Sequence, residues 1–452
     1  MDNSNQLDWA WIRPCAEHID IEIMQCHEEG KDISLITDQA AQLKSLDFTL
    51  SENVQLVGEF YDMTASLPVR DGYPYKEPSD IKGIRALSKG SDTKKTCDID
   101  RDVLYDKAYG AWLGRIAGCM LGKPVEGRSS AQIRTYLQSQ GRWPLNDYFS
   151  MRSDESVRKE CGLDYDWSKM SAEGMTCAIA DDDTNYTTAC LAVYNTHGAD
   201  FTPSNVAGFW LNNIPFLYTC TAERVAYRNL VNLVAPPESA AFRNPYREWI
   251  GAQIRADFWG YVCPGDPARA AEYAWRDACI SHVKNGIYGE MWTAAILAAA
   301  YETSDIETII RAGLAQIPGT SRLHESIERV IRQYHDGLSY ECAIADMHSR
   351  WDEAHPHGWC HTISNAIIVT IALLWGAGDF TRTICNAVMA GFDTDCNGAT
   401  AGSILGLIVG AKNLPDNWVR PLNDTLHTGV AGYHCVKISE IAGRTAALAS
   451  HS

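Results

Sequence analysis

From Asp100 onward, apolar residues recur at helical spacing in run after run, and strand-like alternation is almost absent. The runs cover residues 103–121, 185–194, 267–283, 291–301, 306–315, 323–334, 363–375 and 380–390. A further run, 398–410 (GATAGSILGLIVG), is dominated by small residues. Gly and Ala let two backbones approach closely, so this run suits a helix pressed tightly against others. A chain patterned this way folds as an all-α domain, a compact multi-helix bundle.

The first 97 residues read differently. Trp9, Trp11 and Ile12 precede a stretch with helical spacing at Ile19, Ile21, Ile23 and Met24. Further helices are expected over 38–46 and 53–66. Pro68, Pro74 and Pro78 then stop regular structure over 67–78. The polar segment 89–95 (KGSDTKK) has the composition of a linker. The expected organisation is a mostly helical N-terminal extension, 1–97, followed by a main domain, 98–452.

Hydrophobic residues make up 46% of the 452-residue chain and charged residues 21%, an ordinary globular balance. The 39 Lys and Arg against 57 Asp and Glu leave a net charge of −18, which repels polyanions over most of the surface. Bulk binding to nucleic acid or an anionic membrane is therefore not expected. The 15 Cys are scattered with no CxxC pair, as for free thiols in a reducing compartment. The polar N-terminus lacks a secretory signature, and the most apolar stretch, 363–375, is shorter than the ~20 residues a membrane span requires. A cytoplasmic location is the expectation.

Two acidic clusters carry the candidate chemistry. Asp181, Asp182 and Asp183 stand in ADDDT (180–184), and Asp393 and Asp395 in GFDTDCNG (391–398), each just before an apolar helix. One Asp at a helix start is explained as a cap. Three in a row, or an Asp-Thr-Asp between apolar helices, repel each other unless cations neutralise them. Spacing alone leaves caps and metal ligands equally open. Oxygen-only ligands would select Mg²⁺, with Mn²⁺ as a second possibility, and two clusters could hold two ions about 3.5–4 Å apart.

Four blocks, in order, make residues 104–425 resemble the ADP-ribosylglycohydrolase family, typified by the enzyme that removes ADP-ribose from dinitrogenase reductase. They are GAWLGRIAGCMLGKPVE (110–126), Asp182-Asp183-Thr184, DACISH (277–282) before an Ala-rich helix, and GFDTDCNGATAG (391–402). PDNW (415–418) falls where the family often has Pro-x-x-Trp.

The resemblance implies an all-α bundle and a dinuclear magnesium-dependent hydrolase that cleaves an N-glycosidic bond at ribose C1′. It implies Asp182, Asp183, Asp393 and Asp395 as ligands. Asp181 and Cys396 occupy positions where the family has Thr or Ser; a carboxylate keeps a hard-ion donor there, whereas a thiol is a poor donor to Mg²⁺. The implied catalytic residues are Glu126, acting on water, and Asp183. The family's G-N-G-x-x-M-R block is matched only in part, by Gly251 and Arg255. Trp249, Trp259 and Tyr261 add aromatic surface beside it. Gly251, Arg255, Trp259 and, at the rim, His282 are the expected substrate contacts. His355, His357 and His361 read as a solvated loop with one packed histidine. The implied substrate is an ADP-ribosyl, arginine-type compound or protein. The alternatives are a small nucleoside-like N-riboside and, without catalysis, a crystallin-like structural protein of the same fold.

Overall fold

The computed structural model describes residues 14–90 and 99–450. Trp9, Trp11, Ile12, most of the linker and the expected boundary near residue 97 lie outside them. The described residues form 23 α-helices, short 3₁₀ turns and one two-stranded antiparallel sheet, Thr425–His427 with Cys435–Lys437. No helix among them is long and apolar enough to cross a membrane.

The element that organises the bundle is an antiparallel pair of helices, Arg101–Gly122 and Thr394–Val409. The first is started by Asp100, whose carboxylate accepts the backbone N–H groups of Asp102 and Val103. Gly110, Gly114, Gly118 and Gly122 recur every four residues and so fall on one face. Gly398, Gly402 and Gly406 do the same on the partner. A Cβ on Gly118 would overlap the carbonyl oxygen of Gly398, and one on Gly402 that of Gly114. The backbones therefore touch along the whole seam. Because the pair is antiparallel, the end of the first helix meets the start of the second. There the Thr394 hydroxyl donates to the Gly122 carbonyl at 2.9 Å.

The main core fills the space around this pair. Six Trp are among its fully buried side chains: Trp112, Trp167, Trp210, Trp259, Trp292 and Trp418. The helices Asp182–His197, Lys284–Ala299 and Thr362–Gly376 are buried along almost every face; the last two are accordingly apolar nearly all round, whereas the first buries Asp183, Asn185 and three Thr near its start.

The N-terminal helices Ala16–Glu28, Thr37–Lys44 and Ser51–Ala65 enclose a small core of Ile19, Ile36, Ala40, Leu43, Val57 and Phe60. Buried charge ties the first of them to the bundle. Arg247 pairs with Glu22 at 2.6 Å and Glu29 at 2.9 Å, and Gln25 donates to Glu248 at 2.6 Å. Arg322 joins Glu77 (2.9 Å), Glu248 (2.7 Å) and Glu28 (3.3 Å). Removing one partner of such a cluster leaves an uncompensated buried charge, a cost of about 3–5 kcal/mol.

The helix seam generates a stability test. Gly118→Ala should destabilise the protein by at least about 1–3 kcal/mol through overpacking. Gly208→Ala, in a helix where an added Cβ meets open space, should be neutral or stabilising. Urea unfolding of both variants measures the difference; equal midpoints would contradict the backbone contact.

Candidate active site

At the closed end of the helix pair, three segments converge. The turn Lys123–Val125 leads from the first helix to Glu126. Asp181 caps the helix Asp182–His197 by accepting the N–H of Asp183 at 3.0 Å. Asp393 precedes Thr394–Val409 at the corresponding position but makes no capping bond. The cap explanation thus accounts for Asp181 and not for Asp393, whose carboxylate accepts from the Cys360 thiol at 3.7 Å. Donor atoms of Glu126, Asp393 and Asp395 lie within 4.8 Å of one another, as do those of Asp183, Asp395 and Cys396 and those of Cys119, Asp181 and Asp183. Asp181, Asp183, Asp393, Asp395 and Cys396 are buried, Asp182 is half-buried, and the Glu126 side chain is 41% exposed.

Two cations of the chain sit among these carboxylates. Arg115 donates to the Asp183 carboxylate at 3.0 Å and to its carbonyl at 2.8 Å, and pairs with Asp257 at 2.9 Å. The Lys123 ammonium contacts Asp181 and lies 4.0 Å from Glu126. They do not satisfy the cluster: Asp183 Oδ2 and Asp395 Oδ1 are buried with no hydrogen-bond partner among the described residues.

The electrostatics follow from this crowding. At Asp181 burial works to raise the pKa, but the Lys123 ammonium overcomes it and holds the carboxyl below its usual range. Burial, then the Asp181 charge, pushes Asp182 up to about 8. Asp183 is raised by burial against the pull of Arg115. Burial and the Asp395 charge raise Asp393, burial and the Asp181 charge raise Asp395, and the Asp395 charge with burial raises Glu126. Burial and the surrounding carboxylates push the Cys396 thiol well up, so it keeps its proton and remains a poor cation ligand.

Behind the acidic end lies a closed ionic network. Arg255 pairs with Asp277 at 2.6 Å and Glu223 at 2.5 Å and donates to Ser281 at 3.1 Å. Gly251 packs so closely on Glu223 that a Cβ would overlap its carboxylate. His282 bonds the Ser281 hydroxyl at 2.8 Å through Nδ1.

Gly251, Arg255 and His282, expected as substrate contacts, are buried in the interior, with His282 Nε2 unpartnered among the described residues. Trp259, expected beside them, is buried too. It stacks on Phe201 at 4.4 Å and 9°, edge-on to Tyr273, with no exposed surface. Aromatic residues near a cleft motif pack equally well behind it, and sequence does not separate the two cases. Of that segment, Trp249 lines a cavity beside the acidic site.

The histidine loop holds two packed histidines where one was expected. His357 Nδ1 accepts from the Trp249 indole and His361 Nδ1 from the N–H of Ile363. Their protons therefore lie on Nε2, facing Glu28 at 3.4 and 3.3 Å. That tautomer leaves no free nitrogen lone pair for a cation, so the trio clamps the N-terminal helix and is not a metal site.

Sequence reasoning did not single out Arg115 or Lys123 as partners of the carboxylates. The available signal is spacing: Arg115, Cys119 and Lys123 recur every four residues on one face of the opening helix, beside the glycine face.

The fold and the acidic end define an all-α hydrolase of the glycohydrolase class. The family model for ADP-ribosylglycohydrolase matches residues 100–450, and the chain belongs to that family. No curated protein matches. Forty-six chains of solved structures are similar; one, an "ADP-ribosylglycohydrolase-related protein complex", is 19% identical with a TM-score of 0.47, covering 77% of this chain and 99% of its own.

The raised carboxyl pKa values have a stability consequence. A folded-state pKa raised to about 8 at Asp182 favours folding fully below the unfolded carboxyl range, near 4, and loses that contribution as pH rises through about 8. In chelator, the melting temperature should fall from pH 6 to 9, and Asp182→Asn should flatten the fall. An unchanged slope in the variant would contradict the crowded-carboxylate account.

Proposed function

We propose that the protein is a divalent-cation-dependent glycohydrolase that cleaves an N-glycosidic bond at ribose C1′. The observation that carries this reading is the convergence of Glu126, Asp181, Asp183, Asp393 and Asp395 at one end of the helix pair, where the Asp181 and Asp395 charges also act on Asp182 and two buried carboxylate oxygens are unpartnered. Six carboxylates against Lys123 and Arg115 leave an excess of negative charge, and the donors are hard oxygens. Both features fit Mg²⁺, or Mn²⁺, held by Asp181, Asp182, Asp183, Asp393 and Asp395, with Cys396 adjacent as a protonated thiol. Two bound cations would supply a grip on the ribose hydroxyls and electrophilic polarisation of the sugar.

The chain's own residues do the rest. Asp183 is fixed by Arg115, so its free oxygen points from a rigid support. Glu126 stands at the exposed mouth, its side chain 41% exposed to solvent, and the Asp395 charge raises its pKa. In the proposed reaction Glu126 takes a proton from the attacking water, the water oxygen bonds to C1′, and the C1′–N bond breaks. The leaving nitrogen keeps the bonding pair and takes up a proton from solvent, and Glu126 releases the proton it took from water back to solvent, so the step balances as hydrolysis. The surrounding carboxylates stabilise positive charge growing on the ring. Residues 1–97 are proposed to be an extension specific to this chain's architecture, preceding a catalytic unit that starts near 98, in a cytoplasmic protein.

An ADP-ribosyl group on arginine, free or protein-linked, is the first substrate candidate. A small N-riboside is the second, and the cavity described below favours it. The test is turnover of both classes with Mg²⁺, Mn²⁺ or EDTA. Chelation should abolish turnover, added cation should restore it, and Asp395→Asn should lower it by orders of magnitude without unfolding the protein. Full turnover in excess EDTA, or a near-normal Asp395→Asn rate, would overturn the proposal.

A further inference from the structure

A cavity of about 260 Å³ adjoins the acidic site, and part of its wall comes from the N-terminal helix Ala16–Glu28, through Glu17, His18 and Ile21. These residues lie outside the segment matched to the family, 100–450. The rest of the wall borders the carboxylate cluster. Gly127 follows Glu126 in the chain. Trp359 donates its indole N–H to the carbonyl of Phe392, the residue before Asp393, at 2.8 Å. Tyr246 and Trp249 add aromatic surface, edge to face at 4.8 Å.

Three features select the occupant. Among the described residues the wall contains no Lys or Arg, so they offer no counter-charge for a pyrophosphate. Its carboxylates are poorly placed for a guanidinium: Glu353 already accepts from the N–H and hydroxyl of Ser130, both at 2.9 Å, and Glu17 is a surface residue. The polar groups left over are neutral. His18 is 5% exposed with Nε2 unpartnered, its ring edge-on to Tyr246 at 5.7 Å, and the Tyr246 hydroxyl is also buried without a partner. Burial lowers His18 to about 4, so it is uncharged at neutral pH. Buried polar atoms without partners are rare; both belong to side chains of this wall, and a ligand with a donor and an acceptor would satisfy them once the two rings turn toward it. Aromatic rings with one neutral donor–acceptor pair suit a flat heterocycle. The wall is also held firmly, since Glu22, Gln25 and Glu28 anchor the same helix in the buried ion clusters.

We propose that this cavity binds an uncharged, planar nitrogen heterocycle, the leaving base of a small N-riboside, and that His18 of the N-terminal extension helps to select it. The proposal rests on the glycohydrolase reading for the position of the ribose, but its test does not. Adenine and nicotinamide are titrated into the full-length protein in EDTA by calorimetry and ligand-observed NMR, with ethylguanidine as the competing class. At least one base should bind saturably and ethylguanidine should not. His18→Ala should weaken base binding about tenfold, His18→Gln should restore most of it, and Trp359→Leu should cost about three- to tenfold through lost stacking. Melting curves check that each variant is folded.

No base binding to the folded protein, equal affinity in the His18 and Trp359 variants, or preferred binding of ethylguanidine would each overturn the proposal. Mn²⁺ titration of the same samples reads the acidic cluster separately. Base binding that persists without Mn²⁺ binding would support the cavity while sinking the glycohydrolase reading, and the converse pattern would do the reverse.

Discussion

Backbone contact between Arg101–Gly122 and Thr394–Val409 sets the geometry of everything else. Glycine at every fourth position on both helices removes the side chains that would otherwise hold the axes 8–10 Å apart. Close antiparallel packing then brings Gly122 against Thr394, and the residues just beyond, Lys123 to Glu126 on one side and Asp393 on the other, have no choice but to meet. The third segment is delivered from the side, where Arg115 on the first helix takes hold of Asp183. The acidic end is therefore a product of helix packing, assembled from residues more than 200 positions apart in the chain.

Such an end is electrostatically uneasy by construction. Most of its carboxyls have raised pKa values, and the exception, Asp181, is the one in contact with Lys123. Lys123 and Arg115 make the cluster tolerable in the folded chain without neutralising it. The strain is local and is balanced by a large buried core and by ion clusters elsewhere whose charges are better matched, such as Arg322 with its three glutamates. Unmatched carboxylates where packing could have placed apolar groups are the observation on which the proposed cation site rests.

Much of this was legible in the sequence. The all-α class followed from periodicity, and nine runs at helical spacing in the main domain coincide with helices to within a few residues, apart from drift at the ends of 267–283 and 291–301. Asp181 to Asp183, Asp393 and Asp395 were visible as clusters because carboxylates before apolar helices need an explanation. What stayed hidden was tertiary. The small-residue run 398–410 indicated close packing but not that its partner was the glycine face of 110–122. A buried tryptophan such as Trp259 and a cavity-lining one such as Trp249 have the same local signature. The pairing of Glu28 with His357 and His361 spans more than 320 residues and leaves no mark on local sequence.

The N-terminal segment gains a role from this arrangement, because a helix outside the family match walls a cavity beside the acidic end. The central claim remains that three separated segments build one cation site. Anomalous scattering from crystals grown with Mn²⁺ tests it most directly. The account predicts strong peaks among Asp181, Asp182, Asp183, Asp393, Asp395 and Glu126. An empty map at that position, with Lys123 still seated on Asp181 at saturating Mn²⁺, would contradict it.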